Sequence, residues 1–174
     1  MGQGYWSNQL TSYLEKVLKM VNLRIPRSKK ILAVASGGGH WVQLLRLRPA
    51  FDGHHVQYVS TNKSYQIDVQ SPLHIVTDAN IKIKLKLLVM FIEVALIVAK
   101  CRPDIVITTG AAPGFAAIFF GRLFGAKTVW VDSIANSEEL SISGKHARRW
   151  STVWLTQWEH LSGEAGPTYW GAVL

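Results

Sequence analysis

The sequence predicts an α/β fold: a Rossmann-like, mostly parallel sheet with helices on both faces. Three observations carry that expectation. Runs rich in Val, Ile and Leu alternate with stretches of helical pattern along the chain. The runs are apolar on consecutive positions rather than on every second one, as strands covered on both faces require. Glycines stand at the strand ends, in Gly37, Gly38 and Gly39 and again in Gly110 and Gly114.

Lys30 to Ser36 reads as the first buried strand, Gly37, Gly38, Gly39 and His40 as a turn, and Trp41 to Leu47 as the helix it opens. His55 to Thr61 and His74 to Thr77 carry strand signals. Asp78 or Asn80 is the expected cap of a long helix from Ile81 to Lys100. Arg102-Pro103-Asp104 ends that helix and leads into a strand from Ile105 to Thr109. Gly110, Ala111, Ala112, Pro113 and Gly114 form a second tight turn, opening a helix from Phe115 to Phe124. Lys127 to Asp132, Val153 to Thr156 and Tyr169 to Leu174 read as the remaining strands. Ligands of such a sheet bind beyond the carboxyl ends of the strands. Gly37 to His40, Thr108 to Gly114 and Asp132 to Asn136 therefore fall on one rim.

At 174 residues and 48% hydrophobic, the chain is large enough for one core and too small for two nucleotide-binding lobes. Two regions are expected: residues 1–28 as an appendage and residues 29–174 as the globular domain, with Pro26 to Ser28 at the boundary. The formal charge of +8 calls for an acidic partner. Trp6, Leu10, Tyr13, Leu14, Val17, Leu18, Val21 and Ile25 follow helical spacing, with Lys16 and Lys19 on other faces and Arg24, Arg27, Lys29 and Lys30 close by. That pattern fits an amphipathic helix lying on an anionic membrane surface, or a helix docked on the domain or on a partner. Charged residues interrupt it, so it is not a secretory signal. Leu85 to Ala99 is too short to span a bilayer and contains Glu93, so it reads as a core helix; Lys82, Lys84 and Lys86 alternate with apolar residues at its start, which gives either a basic-apolar edge for lipid headgroups or a solvated charged face. The single cysteine, Cys101, reads as a packed small hydrophobe. No nucleic-acid motif is present, and nucleic acid is not an expected partner.

Gly37, Gly38 and Gly39 let the backbone approach a ligand, and the helix start behind them offers N–H groups to a phosphate. A purely structural turn is the alternative. The spacing is not a dinucleotide fingerprint, because Trp41 and Gln43 stand where further glycines belong. No cofactor is expected, and no histidine cluster has metal-ligand spacing. His40 is the rim residue able to exchange a proton near neutral pH, which makes it a candidate general base; capping the helix or binding phosphate is the other reading. Asp132 and Ser133 follow a strand directly, where they either orient a sugar or structure the loop. Lys145, His146, Arg148 and Arg149 form a basic patch suited to lipid phosphate or an acidic partner, or a solvated helix face.

Taken together, Ser36-Gly37-Gly38-Gly39-His40, Arg102-Pro103-Asp104, Thr109-Gly110-Ala111-Ala112-Pro113-Gly114, Val131-Asp132-Ser133, Leu140-Ser141-Ile142-Ser143-Gly144-Lys145, Gln157-Trp158 and Tyr169-Trp170-Gly171 resemble a known family across nearly the whole core. The resemblance is to the membrane-bound subunit of the two-chain UDP-N-acetylglucosamine transferase of dolichol-linked oligosaccharide assembly, and to bacterial PssD-type subunits of exopolysaccharide synthesis. It implies the N-terminal half of a MurG-related GT-B glycosyltransferase, which would account for a chain that stops at Leu174. A separate small chain would supply the UDP-sugar donor half, and this half would receive a polyprenyl-diphosphate-linked acceptor sugar at the membrane. The implied site joins the glycine turn with Thr109, Gly110, Ala111, Pro113, Gly114 and Ser133 for diphosphate and substrate, and His40 and Asp132 for catalysis. Two departures stand out: Asp132 occupies a position where eukaryotic members carry Glu, and the N-terminus is amphipathic rather than membrane-spanning. The second implies a bacterial, peripheral protein on the cytoplasmic face of the inner membrane. A non-catalytic anchor or enhancer of a transferase complete in itself is the competing expectation.

Overall fold

A computed structural model describes residues 28–79 and 83–173 of the chain. The expected amphipathic segment, with Trp6, Leu10, Tyr13, Leu14, Lys16, Val17, Leu18 and Lys19, lies outside the described residues, as do Asn80, Ile81, Lys82 and Leu174.

Seven parallel strands form one sheet: β1 (Lys30–Val34), β2 (His55–Ser60), β3 (Leu73–Ile75), β4 (Ile105–Thr108), β5 (Lys127–Val131), β6 (Val153–Thr156) and β7 (Thr168–Tyr169), in the order β3-β2-β1-β4-β5-β6-β7. Among the described residues four α-helices cover it: α1 (Gly39–Arg46), α2 (Lys84–Cys101), α3 (Ala111–Leu123) and α4 (Ile142–Ala147). Alternate side chains of each strand enter opposite cores. Ile31 and Ala33 of β1 join Ile105, Ile107, Val129 and Val131 under α1, where Trp41, Leu44 and Leu47 are buried. Leu32 and Val34 join Val106 and Trp130 under α2, α3 and α4. Each fully buried aliphatic or aromatic side chain contributes roughly 1.5–3 kcal/mol, so both faces of the sheet are needed to hold it.

The strand order reverses direction between β1 and β4. The loops leaving those two strands run to helices on opposite faces, which opens a crevice above their carboxyl ends. The expected turn at Gly110 to Gly114 is shorter than the sequence implies. Helix α3 already begins at Ala111, and Pro113 and Gly114 are buried within its first turn. Proline is tolerated there because the first N–H groups of a helix have no intrahelical acceptor. A Cβ on Gly114 would overlap Thr108 Oγ1, and one on Gly121 would meet Val106 Cγ2 at 2.7 Å, so these glycines let α3 lie close on the sheet. Gly114 thus serves the packing of α3, and Pro113 is buried beside it.

Two further expectations change. The cap of α2 is Ile83 without a side-chain hydrogen bond, not Asp78. The reading of α2 as a core helix holds for one side only: Met90, Val94 and Val98 are fully buried, while Leu85 (71% exposed), Leu88, Ile92 and Leu96 (65%) form an apolar stripe facing outward. At its end, the Cys101 thiol donates to Gln57 Oε1 (3.1 Å), and burial pushes it above its usual range despite Lys100 and Lys30.

Gly114→Ala is expected to destabilise the fold by about 1–3 kcal/mol through overpacking against Thr108. Thermal melts of Gly114→Ala and of Thr108→Ala/Gly114→Ala check it: the second change makes room and should restore part of the loss.

Candidate functional site

The glycine turn is fixed from both sides. Trp41 in the first turn of α1 stacks on Tyr65 at 4.7 Å and 5°, and its indole Nε1 donates to Asp68 Oδ2 (2.8 Å). Tyr65 in turn accepts the Gly38 N–H on its hydroxyl (2.9 Å). Gly38 sits at φ +62, a backbone conformation open to glycine at little steric cost. The tryptophan that breaks the dinucleotide spacing is therefore the anchor of the turn.

His40 follows as the second residue of α1, and its ring reaches across to the end of β4. Nδ1 lies 2.8 Å from the Thr109 carbonyl oxygen, and the Thr109 hydroxyl donates back to the His40 carbonyl (2.7 Å). A carbonyl only accepts, so the Nδ1 must carry the proton, which leaves Nε2 of the neutral ring as the acceptor nitrogen. Nε2 has no hydrogen-bond partner among the described residues. Gly110, at φ +123, makes the approach possible: a Cβ there would stand 2.9 Å from His40 Cε1.

His40 borders an open cavity of about 360 Å³ whose wall also includes Ala111, Ser133, Asn136, Ser141 and Ser143. The structure thus brings the three expected loops to one cavity. Of the expected residues, His40, Ala111 and Ser133 line it. Gly37, Gly38 and Gly39 form the adjacent turn, with Gly38 and Gly39 exposed. Thr109 and Gly110 are buried behind His40. Ala111 itself takes φ +64, rare for a residue with a side chain.

Asp132 is 2% exposed and does not line the cavity. Its Oδ2 accepts the Ser141 N–H (2.9 Å) and its Oδ1 the Ser141 hydroxyl (2.6 Å), with Trp130 Nε1 at 3.4 Å. Ser141 caps α4 by accepting the Gly144 N–H (2.8 Å), and a Cβ on Gly144 would come within 2.8 Å of both Asp132 Oδ1 and Ser141 Oγ. The carboxylate therefore ties the loop after β5 to the start of α4.

Two glutamines that were not among the expected site residues complete this loop. Gln43 Nε2 donates to Ser133 Oγ (3.1 Å), while its Oε1 accepts from Ile134 N (3.1 Å) and from Gln157 Nε2 (2.7 Å). Gln157 Nε2 also donates to the Asp132 carbonyl (2.8 Å), and its Oε1 accepts Val173 N (2.7 Å). Trp158 Nε1 donates to the Ile134 carbonyl (2.8 Å). Buried amides left unpaired cost roughly 1–3 kcal/mol each, so a fully paired network holds Ser133 at the cavity in one position. The motif Gln157-Trp158 was the available clue; Gln43 offered none beyond a polar residue on the buried side of α1. Among the described residues no cluster of His, Cys, Asp or Glu could hold a metal ion.

No family model matches the chain, and no curated protein matches it by sequence. Solved structures do match it in fold. MurG of Acinetobacter baumannii aligns at a TM-score of 0.66 and 15% identity, over 81% of this chain and 45% of that one. A glycosyltransferase of Rickettsia africae aligns at 0.57 and 16% identity, over 83% and 43%. The UDP-GlcNAc 2-epimerase of Methanocaldococcus jannaschii aligns at 0.55 and 13% identity, over 73% and 39%. The chain spans less than half the length of each of these proteins. Its Rossmann-like parallel sheet is the fold of one half of a GT-B glycosyltransferase. The fold is thus one shared by glycosyltransferases and by UDP-GlcNAc 2-epimerases.

The tie between Asp132 and Ser141 makes a quantitative prediction. Ser141→Ala should cost about 1–3 kcal/mol, from a lost cap and a buried carboxylate short of a partner. Asp132→Ala should cost a similar amount, and the double variant should fall short of the sum by at least ~0.5 kcal/mol. Urea denaturation of the three variants measures it, and additive costs would show that the two residues act independently.

Proposed function

We propose that this chain is the acceptor-side, membrane-associated subunit of a heteromeric inverting glycosyltransferase. It adds a sugar from a UDP-sugar to a polyprenyl-diphosphate-linked acceptor in exopolysaccharide or capsule assembly. The observation that carries the reading is His40, held by Thr109 in the tautomer that presents Nε2 as a proton acceptor beside the rim cavity.

In this mechanism Nε2 takes the proton of the acceptor hydroxyl as its oxygen attacks the anomeric carbon of the donor sugar. The bond to UDP breaks from the opposite side, so the configuration inverts. The imidazolium keeps its Nδ1–H bond to the Thr109 carbonyl, whose partial negative charge stabilises the new positive one. N–H groups at the glycine turn and the start of α1 face the acceptor diphosphate. Asp132 acts as a positioning residue through Ser141, and Ser133 contacts the acceptor sugar. The small donor-binding subunit supplies the nucleotide site.

No helix among the described residues is long and apolar enough to cross a membrane. The exposed stripe of α2, with exposed Lys84 and Lys86 at its start, supports peripheral attachment alongside residues 1–28, on the cytoplasmic face of the inner membrane.

The test is turnover of a lipid-linked acceptor by the chain reconstituted with its donor-side partner. His40→Ala should lower turnover about 10²–10⁴-fold while partner and membrane association persist. A loss under tenfold at saturating partner and acceptor would contradict the assignment of His40 as base. Full transfer by the partner alone would favour the anchor reading, and conversion of UDP-GlcNAc to its 2-epimer without acceptor would favour an epimerase.

A further inference from the structure

Beyond α4 from the His40 cavity lies a second, larger cleft of about 550 Å³. It is lined by Phe115 of α3 and by Lys145, His146, Arg148, Arg149 and Trp150. The lining carries no carboxylate. Lys145 meets Glu139 at 2.7 Å, the one ion pair among the described residues, but both are exposed and such pairs contribute little. Arg148 lies over the Trp154 ring at 5.8 Å and Arg149 over Trp150 at 6.0 Å. Neither guanidinium has a hydrogen-bond acceptor among the described residues, nor does the His146 ring, which stands edge-on to Phe115. Under Arg148, the Nε1 of Trp154 is buried and likewise without an acceptor.

Aromatic faces thus hold two arginines in place while leaving their N–H forks free. Three full positive charges within five residues repel one another, and no carboxylate among the described residues pairs with either arginine. An anion with several oxygen acceptors would relieve that repulsion and fit the planar forks.

We propose that this cleft is a phosphate-binding site, separate from the His40 cavity, that takes the phosphate group of a lipid headgroup or of a soluble phosphate compound. Through Ser141, Ile142 and Ser143, α4 forms part of the wall of the His40 cavity, while Lys145 and His146 of the same helix border the phosphate site. The proposal does not rest on the transferase reading, since none of its residues belongs to the His40 machinery.

The experiment titrates the full chain with inorganic pyrophosphate by calorimetry, and separately with phosphatidylglycerol and phosphatidylcholine vesicles by co-sedimentation. Arg148→Gln/Arg149→Gln should weaken binding tenfold or more, and Lys63→Gln/Lys127→Gln, which removes the same charge from exposed positions elsewhere, less than twofold. Saturable, arginine-dependent binding of pyrophosphate assigns a soluble ligand. The same dependence seen only on phosphatidylglycerol vesicles assigns a lipid headgroup. Equal losses in the two double variants, or no saturable binding of either probe, would overturn the proposal. Circular dichroism checks the fold; should the arginine pair be needed for it, Arg149→Gln alone should still weaken binding at least threefold, and Arg149→Lys less than that.

Discussion

The transfer chemistry proposed for this chain depends on a reciprocal pair of hydrogen bonds between His40 and Thr109. They join the two loops that leave the sheet on either side of its reversal point. The same pair settles which ring nitrogen carries the proton. Gly110 is the condition for it, since any side chain there would push the ring away. A histidine elsewhere on the rim would offer the same imidazole, but it would not be held in one tautomer beside the crevice where strand order places a ligand.

Around this pair the rim is stiffened by buried polar contacts rather than by apolar packing alone. Asp132, Ser141, Gln43, Gln157 and Trp158 fix the side chains or main chain of three consecutive loop residues. The design suits a site that must offer Ser133 and His40 at a constant separation. It also explains why the carboxylate expected to act in chemistry is engaged in structure: both of its oxygens are turned to Ser141.

The fold was legible because its strands are short, mostly apolar and separated by glycine or proline punctuation. Val153 to Thr156 matched its strand end for end, and β1, β2, β4 and β5 within one or two residues. The misses have physical reasons. Ala111 to Gly114 looks like a turn locally, yet Gly114 is small because Thr108 lies behind it. The last strand ends at Tyr169 because Gly171 takes φ +109 and Val173 N goes to Gln157 rather than to a neighbouring strand. Helix α2 confines its charges to Lys84, Lys86, Glu93 and Lys100 and is apolar on its exposed face as on its buried one, so no apolar–polar contrast revealed the exposed stripe. The place of His40 beside the rim cavity was legible from its glycine turn. Gln43 and Gln157 were not, since they act through a contact spanning 114 residues of sequence.

The most direct measurement of the central claim is the tautomeric state of His40, read from long-range ¹H–¹⁵N correlations of the imidazole at mildly alkaline pH and assigned with His40→Gln. The account predicts a single neutral form, with Nδ1 protonated and Nε2 showing the shift of an unprotonated nitrogen. A ring protonated on Nε2, or one averaging between the two tautomers, would contradict it.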